Sequence, residues 1–307
     1  MISIIIPMKN EADGLAILFE NLLPDLKSLQ KPFEIIIIND GSTDNTLQKL
    51  LAFQKTIPEL RIVDFSRNFG KEAAVTAGMA MARGDAAIPI DADLQDPTYL
   101  IPAMVAKWEQ GYEMVVTVRE NRSSDSVAKR WFSSAFYHIF NLFSDIRLIP
   151  NAGDFRLFDR KLIDAFLSLP ERTRFNKGLF SWLGFKSCLI SHSRPERAVG
   201  KSKWNYRKLL RFAVDGITSF SAAPLKVFSY IGFLAATLAI IYGLYVVIHT
   251  LLYGNKVPGY PSLVVLILFF GGLNMIGIGI MGEYLSRIFI ETKQRPLYII
   301  RQLYEPK

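Results

Sequence analysis

Short, largely apolar runs at residues 3–6, 34–38, 61–65, 86–90 and 114–118 alternate with helically periodic stretches at 12–29, 45–55, 70–83 and 98–110. A strand that is apolar on both faces must be covered on both, and the intervening helices supply that cover. The pattern predicts an α/β domain built on a mostly parallel sheet. In such sheets ligands bind beyond the carboxyl ends of the strands.

Polar clusters fall at those ends. Pro7-Met8-Lys9-Asn10-Glu11, Asn39-Asp40-Gly41-Ser42-Thr43-Asp44, Ser66-Arg67-Asn68-Phe69-Gly70-Lys71 and Asp91-Ala92-Asp93-Leu94-Gln95 each follow directly after a predicted strand. Asn10, Glu11, Asn39 and Asp40 offer donors and acceptors suited to a base edge and a ribose. Arg67 and Lys71 add positive charge where the next helix begins, a place that already favours anions. Asp91 and Asp93 present hard oxygen ligands two residues apart, suited to Mg²⁺ or Mn²⁺. Taken alone, an Asp-x-Asp is more often a capped or solvated turn than a metal site, and Asp96-Pro97 has the form of a helix N-cap followed by Pro at N1. Four clusters at one sheet edge point instead to a nucleotide diphosphate.

The chain has 307 residues, 50% of them apolar, and a net charge of +8. The excess of base suits nucleic acid, an anionic membrane face or a phosphate-bearing substrate. Cys188 is the single cysteine, so an intrachain disulfide and a cysteine metal site are both excluded. It is expected in the core. The N-terminus has neither the basic n-region nor the long apolar run of a signal peptide and is read as a first strand.

Residues 227–252 and 262–282 contain no Asp, Glu, Lys or Arg. At 1.5 Å per residue they reach roughly 39 and 32 Å, enough for a hydrocarbon core of ~30 Å. Two transmembrane helices are expected, with the catalytic domain at 1–225, the spans within 226–282 and an amphipathic tail at 283–307. The basic residues at 194–211 lead into a juxtamembrane helix over about 205–225, and basic flanks place both the large domain and the C-terminus in the cytoplasm. A Gly-x-Gly-x-x-Gly at 277–282 lies inside the second apolar run, so it is better read as small residues packing helices together than as a dinucleotide fingerprint. No Walker loop is present. No RNA-binding signature is present either, and the adjacent spans favour lipid over nucleic acid as the partner of the basic run.

Pro7-x-x-Asn10-Glu11, the Asn39–Asp44 cluster, Arg67-Asn68-Phe69-Gly70-Lys71, Asp91-Ala92-Asp93-Leu94-Gln95-Asp96-Pro97 and Gly200-Lys201-Ser202-Lys203 together resemble the family 2 inverting glycosyltransferases of the polyprenyl-phosphate type. Within that family the bactoprenol glucosyltransferases share the two C-terminal spans, and the dolichyl-phosphate mannose synthases are similar through the catalytic domain. The resemblance implies a GT-A (Rossmann-like) fold that moves a sugar from a UDP-sugar to undecaprenyl phosphate at the inner face of the bacterial cytoplasmic membrane. By motif position Pro7, Glu11 and Asp40 would hold uridine, and Asp91, Asp93 and Gln95 the diphosphate and its Mg²⁺ or Mn²⁺. Arg119, Arg130 and Ser134 would receive the lipid phosphate, Arg197 and Lys203 would grip phosphate, and Asp154 falls where the family's catalytic base is usually placed.

Glucose is the sugar implied by the subgroup, with mannose, galactose or a 4-amino-arabinose derivative as alternatives. The same resemblance implies a lipid bilayer around the chain, leaves room for a homo-oligomer, and places a flippase and a downstream glycosyltransferase in its pathway. A processive synthase on this fold would carry Gln-x-x-Arg-Trp, and Arg130-Trp131 lacks that Gln. A non-catalytic nucleotide-sugar sensor is the rival from another class. A phosphate monoester acceptor is already an oxyanion near neutral pH. Leaving-group charge, more than proton removal, is therefore the chemical difficulty, and the metal pair ranks above Asp154.

Overall fold

The computed structural model describes residues 1–93, 95–119, 152–192, 221–254 and 259–306. An eight-stranded mixed sheet with a parallel centre runs in the order β7-β5-β6-β4-β1-β2-β3-β8, a GT-A-like architecture. The strands are β1 (Ile2–Met8), β2 (Phe33–Asn39), β3 (Leu60–Phe65), β4 (Ala86–Pro89), β5 (Met114–Arg119), β6 (Ala152–Asp159), β7 (Ser187–His192) and β8 (Ile300–Tyr304). Helices α1 (Leu15–Ser28), α2 (Thr46–Gln54), α3 (Lys71–Met81) and α4 (Ile101–Glu109) connect the first five.

The parallel centre β4-β1-β2-β3 explains the unbroken apolar runs. Alternate residues of one strand enter opposite cores: Ile4 and Ile6 join Ile35, Ile37 and Ile62 beside α1 and α4, while Ile5 joins Ile36, Ile38 and Val63 beside α3. Gly78 of α3 lies directly on the Ile5 side chain, where a Cβ would collide, so the small residues of α3 set how closely that helix covers the sheet.

The polarity of the sheet divides its labour. At the amino ends, buried Glu34 accepts from Ser3 Oγ at 2.6 Å, Arg83 N at 2.6 Å and Arg61 Nη1 at 2.8 Å. Arg61 also holds the exposed Glu305 carboxylate through Nε and Nη2, each at 3.0 Å. The carboxyl ends are left for the polar clusters.

The mostly parallel sheet also carries antiparallel strands: β6 inserts antiparallel between β4 and β5, and β8 runs antiparallel on β3. Three expectations change. Cys188 is half-buried on edge strand β7. Asp96 caps no helix, because Pro97 precedes a 3-10 turn at Thr98–Leu100 without a side-chain cap. Its carboxylate instead accepts from Asp91 N at 3.3 Å, closing the turn that carries Asp91. The expected amphipathic tail is divided, since its first part extends a helix to Lys293 and Ile300–Tyr304 enters the sheet.

Helices α5 (Arg160–Ser168) and α6 (Asn176–Trp182) follow β6, and the chain then forms the long helices α7 (Ala223–Tyr253) and α8 (Tyr260–Lys293). Pro224–Tyr253 and Phe269–Lys293 are long and apolar enough to cross a membrane, and almost none of their surface is buried within the chain. Phe228 of α7 packs where a Cβ on Gly277 of α8 would sit, so that glycine of the 277–282 motif is a helix contact. Tyr284 donates its hydroxyl to Ser221 O at 2.6 Å. Glu291, near the end of α8, accepts from Arg172 N and Thr173 N at 2.9 Å, tying the hairpin to the sheet domain.

Arg61→Ala leaves Glu34 as a buried, uncompensated charge and is expected to cost about 3–5 kcal/mol. Glu305→Ala removes only the exposed partner and should cost about 1 kcal/mol or less. Thermal denaturation of the detergent-solubilised chain measures both, and equal losses would contradict this assignment.

Candidate active site

The carboxyl ends of β1, β2, β3 and β4 bring the four polar clusters to one edge, as parallel pairing requires. The antiparallel register of β4 with β6 pairs Ala87 with Phe158. Continued four residues beyond, that register sets Asp91 across from Asp154. Lys71, the first residue of α3, reaches between them.

Its ammonium lies 2.6 Å from Asp91 Oδ1, 2.8 Å from Asp91 Oδ2 and 2.7 Å from Asp154 Oδ2. Lys177 of α6 lies 3.2 Å from Asp154 Oδ1. These groups line an open cleft together with Pro7, Glu72, Arg156, Asn176 and Phe180. The side chains of Lys71 and Asp154 remain 41% and 42% exposed, so solvent screens these pairs and they position charge more than they stabilise the fold.

Burial would raise the Asp154 carboxyl, but Lys177 and Lys71 outweigh it and hold the group far below the usual carboxylate range. Burial would lower Lys71, but Asp154 and Asp91 hold it above the ordinary lysine value. Asp96 is pushed up to about 7 by burial and by the neighbouring Asp91 charge. Glu72 is likewise raised to about 7, by burial first and then by Asp154.

The remaining expected residues divide into groups. Both oxygens of Asp40 accept backbone N–H groups, from Phe69 at 2.6 Å and Gly70 at 3.0 Å. Gly41 (φ +62°) follows it, and a Cβ there would lie 2.5 Å from the Arg67 carbonyl carbon, so the 39–44 and 66–70 loops touch at a position that requires glycine. Asn10 (φ +56°) accepts from Thr43 N at 2.8 Å, joining the first loop to the second. Buried Asn39 donates Nδ2 to Asp64 Oδ1 at 2.7 Å.

Glu11 N donates to Thr46 Oγ1 at 3.0 Å. Arg67 folds over the Phe69 ring, 4.1 Å from its centroid. Asp93 accepts from Gln95 N at 3.2 Å, and Gln95 is buried. Arg119 ends β5; its side chain, with Arg130, Ser134, Arg197 and Lys203, lies outside the described residues. Glu72, Arg156, Asn176 and Lys177 were not anticipated. Glu72 follows Lys71 directly and was in reach of the motif, whereas Lys177 carries no local signal and is recruited only by the fold.

Residues 3–167 match the glycosyl transferase family 2 model. The chain is a family 2 glycosyltransferase. Residues 223–288 of the enzyme also match the GtrB C-terminal hairpin, which covers α7 and most of α8. The glycosyltransferase is 47% identical to an uncharacterized glycosyltransferase of Synechocystis sp., over 99% of this chain and 95% of that one. It is 44% identical to the prophage bactoprenol glucosyl transferase homolog of Escherichia coli, over 98% and 99% of the two chains, and to the bactoprenol glucosyl transferase of Shigella phage SfV, over 98% of each. The apolar hairpin makes this glycosyltransferase a membrane-associated enzyme.

A carboxyl whose pKa is raised on folding stabilises the protein fully below its unfolded value, near 4.5 for Glu72, and loses that contribution as pH rises through about 7. The Tm of the enzyme is therefore expected to fall between about pH 5 and pH 8. Glu72→Gln should flatten part of that fall, with Asp96 carrying the rest. An unchanged slope in the Gln variant would place the titration elsewhere.

Proposed function

We propose that this glycosyltransferase moves glucose from UDP-glucose to undecaprenyl phosphate, with inversion at the anomeric carbon, on the cytoplasmic face of a bacterial inner membrane. The observation that carries the reading is the Asp91–Lys71–Asp154–Lys177 cluster in a cleft at the carboxyl edge of the sheet, in a chain that continues into an apolar hairpin. Nearly full-length relatives named bactoprenol glucosyl transferases support the sugar and the lipid acceptor. Basic residues flanking the apolar helices support a two-span topology with the catalytic domain and C-terminus inside.

Pro7, Asn10, Glu11, Asn39, Asp40 and Arg67 belong to the uridine side of the site, some by shaping the loops. Asp91, Asp93 and Gln95 suit a hard cation: Asp91 already wraps both oxygens around an ammonium. Among the described residues no group of three His, Cys, Asp or Glu side chains forms a metal cage. An open set of this kind fits Mg²⁺ or Mn²⁺ completed by substrate phosphates. When bound, the cation would neutralise charge developing on the departing UDP.

Lys71 lies where it can turn from Asp91 toward the diphosphate, adding a second positive charge to the same leaving group. Asp154 is fully ionised near neutral pH and, paired with two lysines, is a weak proton acceptor. Its role is to orient Lys71 and Lys177, while the lipid phosphate attacks as an oxyanion that needs no base. Arg119, Arg130, Ser134, Arg197 and Lys203 are proposed to hold acceptor and diphosphate on the membrane side.

Incubating the enzyme with undecaprenyl phosphate, Mg²⁺ or Mn²⁺ and a panel of UDP-sugars, with mass spectrometry of the lipid product, should give a glucosyl lipid and release of UDP. A product with another hexose would redirect the donor assignment. Asp93→Ala is expected to lower turnover by at least about 100-fold, and near-normal transfer would remove the metal-centred mechanism. Asp154→Asn should lower turnover while leaving the acid limb of the pH–rate profile in place, and loss of that limb would make Asp154 the base.

A further inference from the structure

We propose that Arg301, on the strand that follows the apolar hairpin, is a positioning residue of the donor pocket, so that the C-terminal segment braces the loops of that pocket from behind. The inference rests on reading this edge of the sheet as the UDP-sugar site.

Arg301 touches the supports of two donor-side loops at once. Its Nη2 donates to Ser66 O at 2.7 Å, where the 66–70 loop leaves β3. Ser66 N donates in turn to Ile299 O at 3.0 Å, so the first residue of the loop is held through both its N–H and its C=O. That loop delivers the Phe69 and Gly70 amides to Asp40 and then becomes the helix that begins with Lys71.

The second contact runs into the strand. Arg301 Nη1 lies 3.7 Å from Asp64 Oδ2. Asp64 is almost fully buried, and its other oxygen accepts Asn39 Nδ2 at 2.7 Å. Asn39 Oδ1 then accepts Ser42 N at 3.3 Å, shaping the 39–44 loop. A buried carboxylate with one amide partner is poorly compensated, so Arg301 supplies the charge that lets Asp64 hold Asn39 in register. The pairing of β3 with β8 shifts register between Asp64 and Phe65, beside Arg301, the kind of irregularity that re-aims side chains next to sites.

The side chain of Arg301 is itself 62% exposed. Strand β8 keeps its backbone pairing without it, and Tyr298 still stacks on Phe65 with centroids 5.2 Å apart. Replacing Arg301 therefore releases the loops while the strand that carries it stays anchored by these other contacts.

The test uses the full chain in nanodiscs, with the Kd of UDP in the presence of Mn²⁺ from calorimetry, and KM and kcat for UDP-glucose. Arg301→Ala should raise Kd and KM about tenfold, with kcat within about twofold, and should lower Tm by less than Arg61→Ala does, because the Arg301 side chain is itself exposed and solvent screens its pair with Asp64. Arg301→Lys should recover most of the loss. Asp64→Asn, which retains the shape but not the charge, should raise Kd similarly and combine with Arg301→Ala less than additively. Kd and KM within about twofold of wild type in Arg301→Ala, whatever its Tm, would overturn the proposal. Failure of the wild-type chain to bind UDP would instead overturn the UDP-sugar reading on which it rests.

Discussion

The site depends on crowded negative charge. Asp91, Asp154, Glu72 and Asp96 meet at one edge of the sheet, and four ionised carboxylates so close together in a partly dry cleft would repel strongly. The fold answers in two ways. Lys71 and Lys177 balance Asp91 and Asp154, while Glu72 and Asp96 are pushed up to about 7 and so are only partly ionised near neutrality. The result is a cleft in which Lys71 and Lys177 set positive charge directly against Asp91 and Asp154.

This arrangement needs an edge that holds still. The amino ends of the strands are fixed by a buried Glu34–Arg61 pair with its own hydrogen bonds. The carboxyl ends are loops, which hold one another through Asp40, Asn10 and Gly41. Side chains that look like ligand contacts in a motif thus serve partly as loop braces, and the charged groups of the cleft come from α3, β6 and α6. The apolar hairpin is fastened to this same body at two points, through Glu291 on the 172–173 backbone and through β8 on β3. The membrane segment is consequently joined to the catalytic sheet domain both at an edge strand and through the backbone ahead of α6.

The parallel centre was legible because its strands are buried on both faces, which leaves a nearly continuous apolar signature. The edge strands were not. β7 alternates exposed and half-buried residues, and β8 reads Ile-Arg-Gln-Leu-Tyr, so neither has an apolar run to announce it. Asp96-Pro97 gave a good local cap signal, yet the demand for an acceptor at Asp91 N prevailed over the local preference. Cys188 followed its apolar neighbours into the core on paper and came out at a sheet edge.

The amino-acid sequence by itself determined which chemistry stands at each strand end, because every polar cluster follows its strand without a break and the strand can lie only one way in a parallel sheet. It also determined the hairpin, since a run of more than 20 residues without charge has few other uses. Tertiary structure alone decided that Lys71, Asp91, Asp154 and Lys177 form one network and that Arg301 reaches Ser66 and Asp64 at the end of β3. Those residues are far apart in the chain, and only the insertion of β6 beside β4 and the return of β8 onto β3 bring them within hydrogen-bonding distance. Strand order and register arise from packing over the whole domain, and no local pattern of residues encodes them.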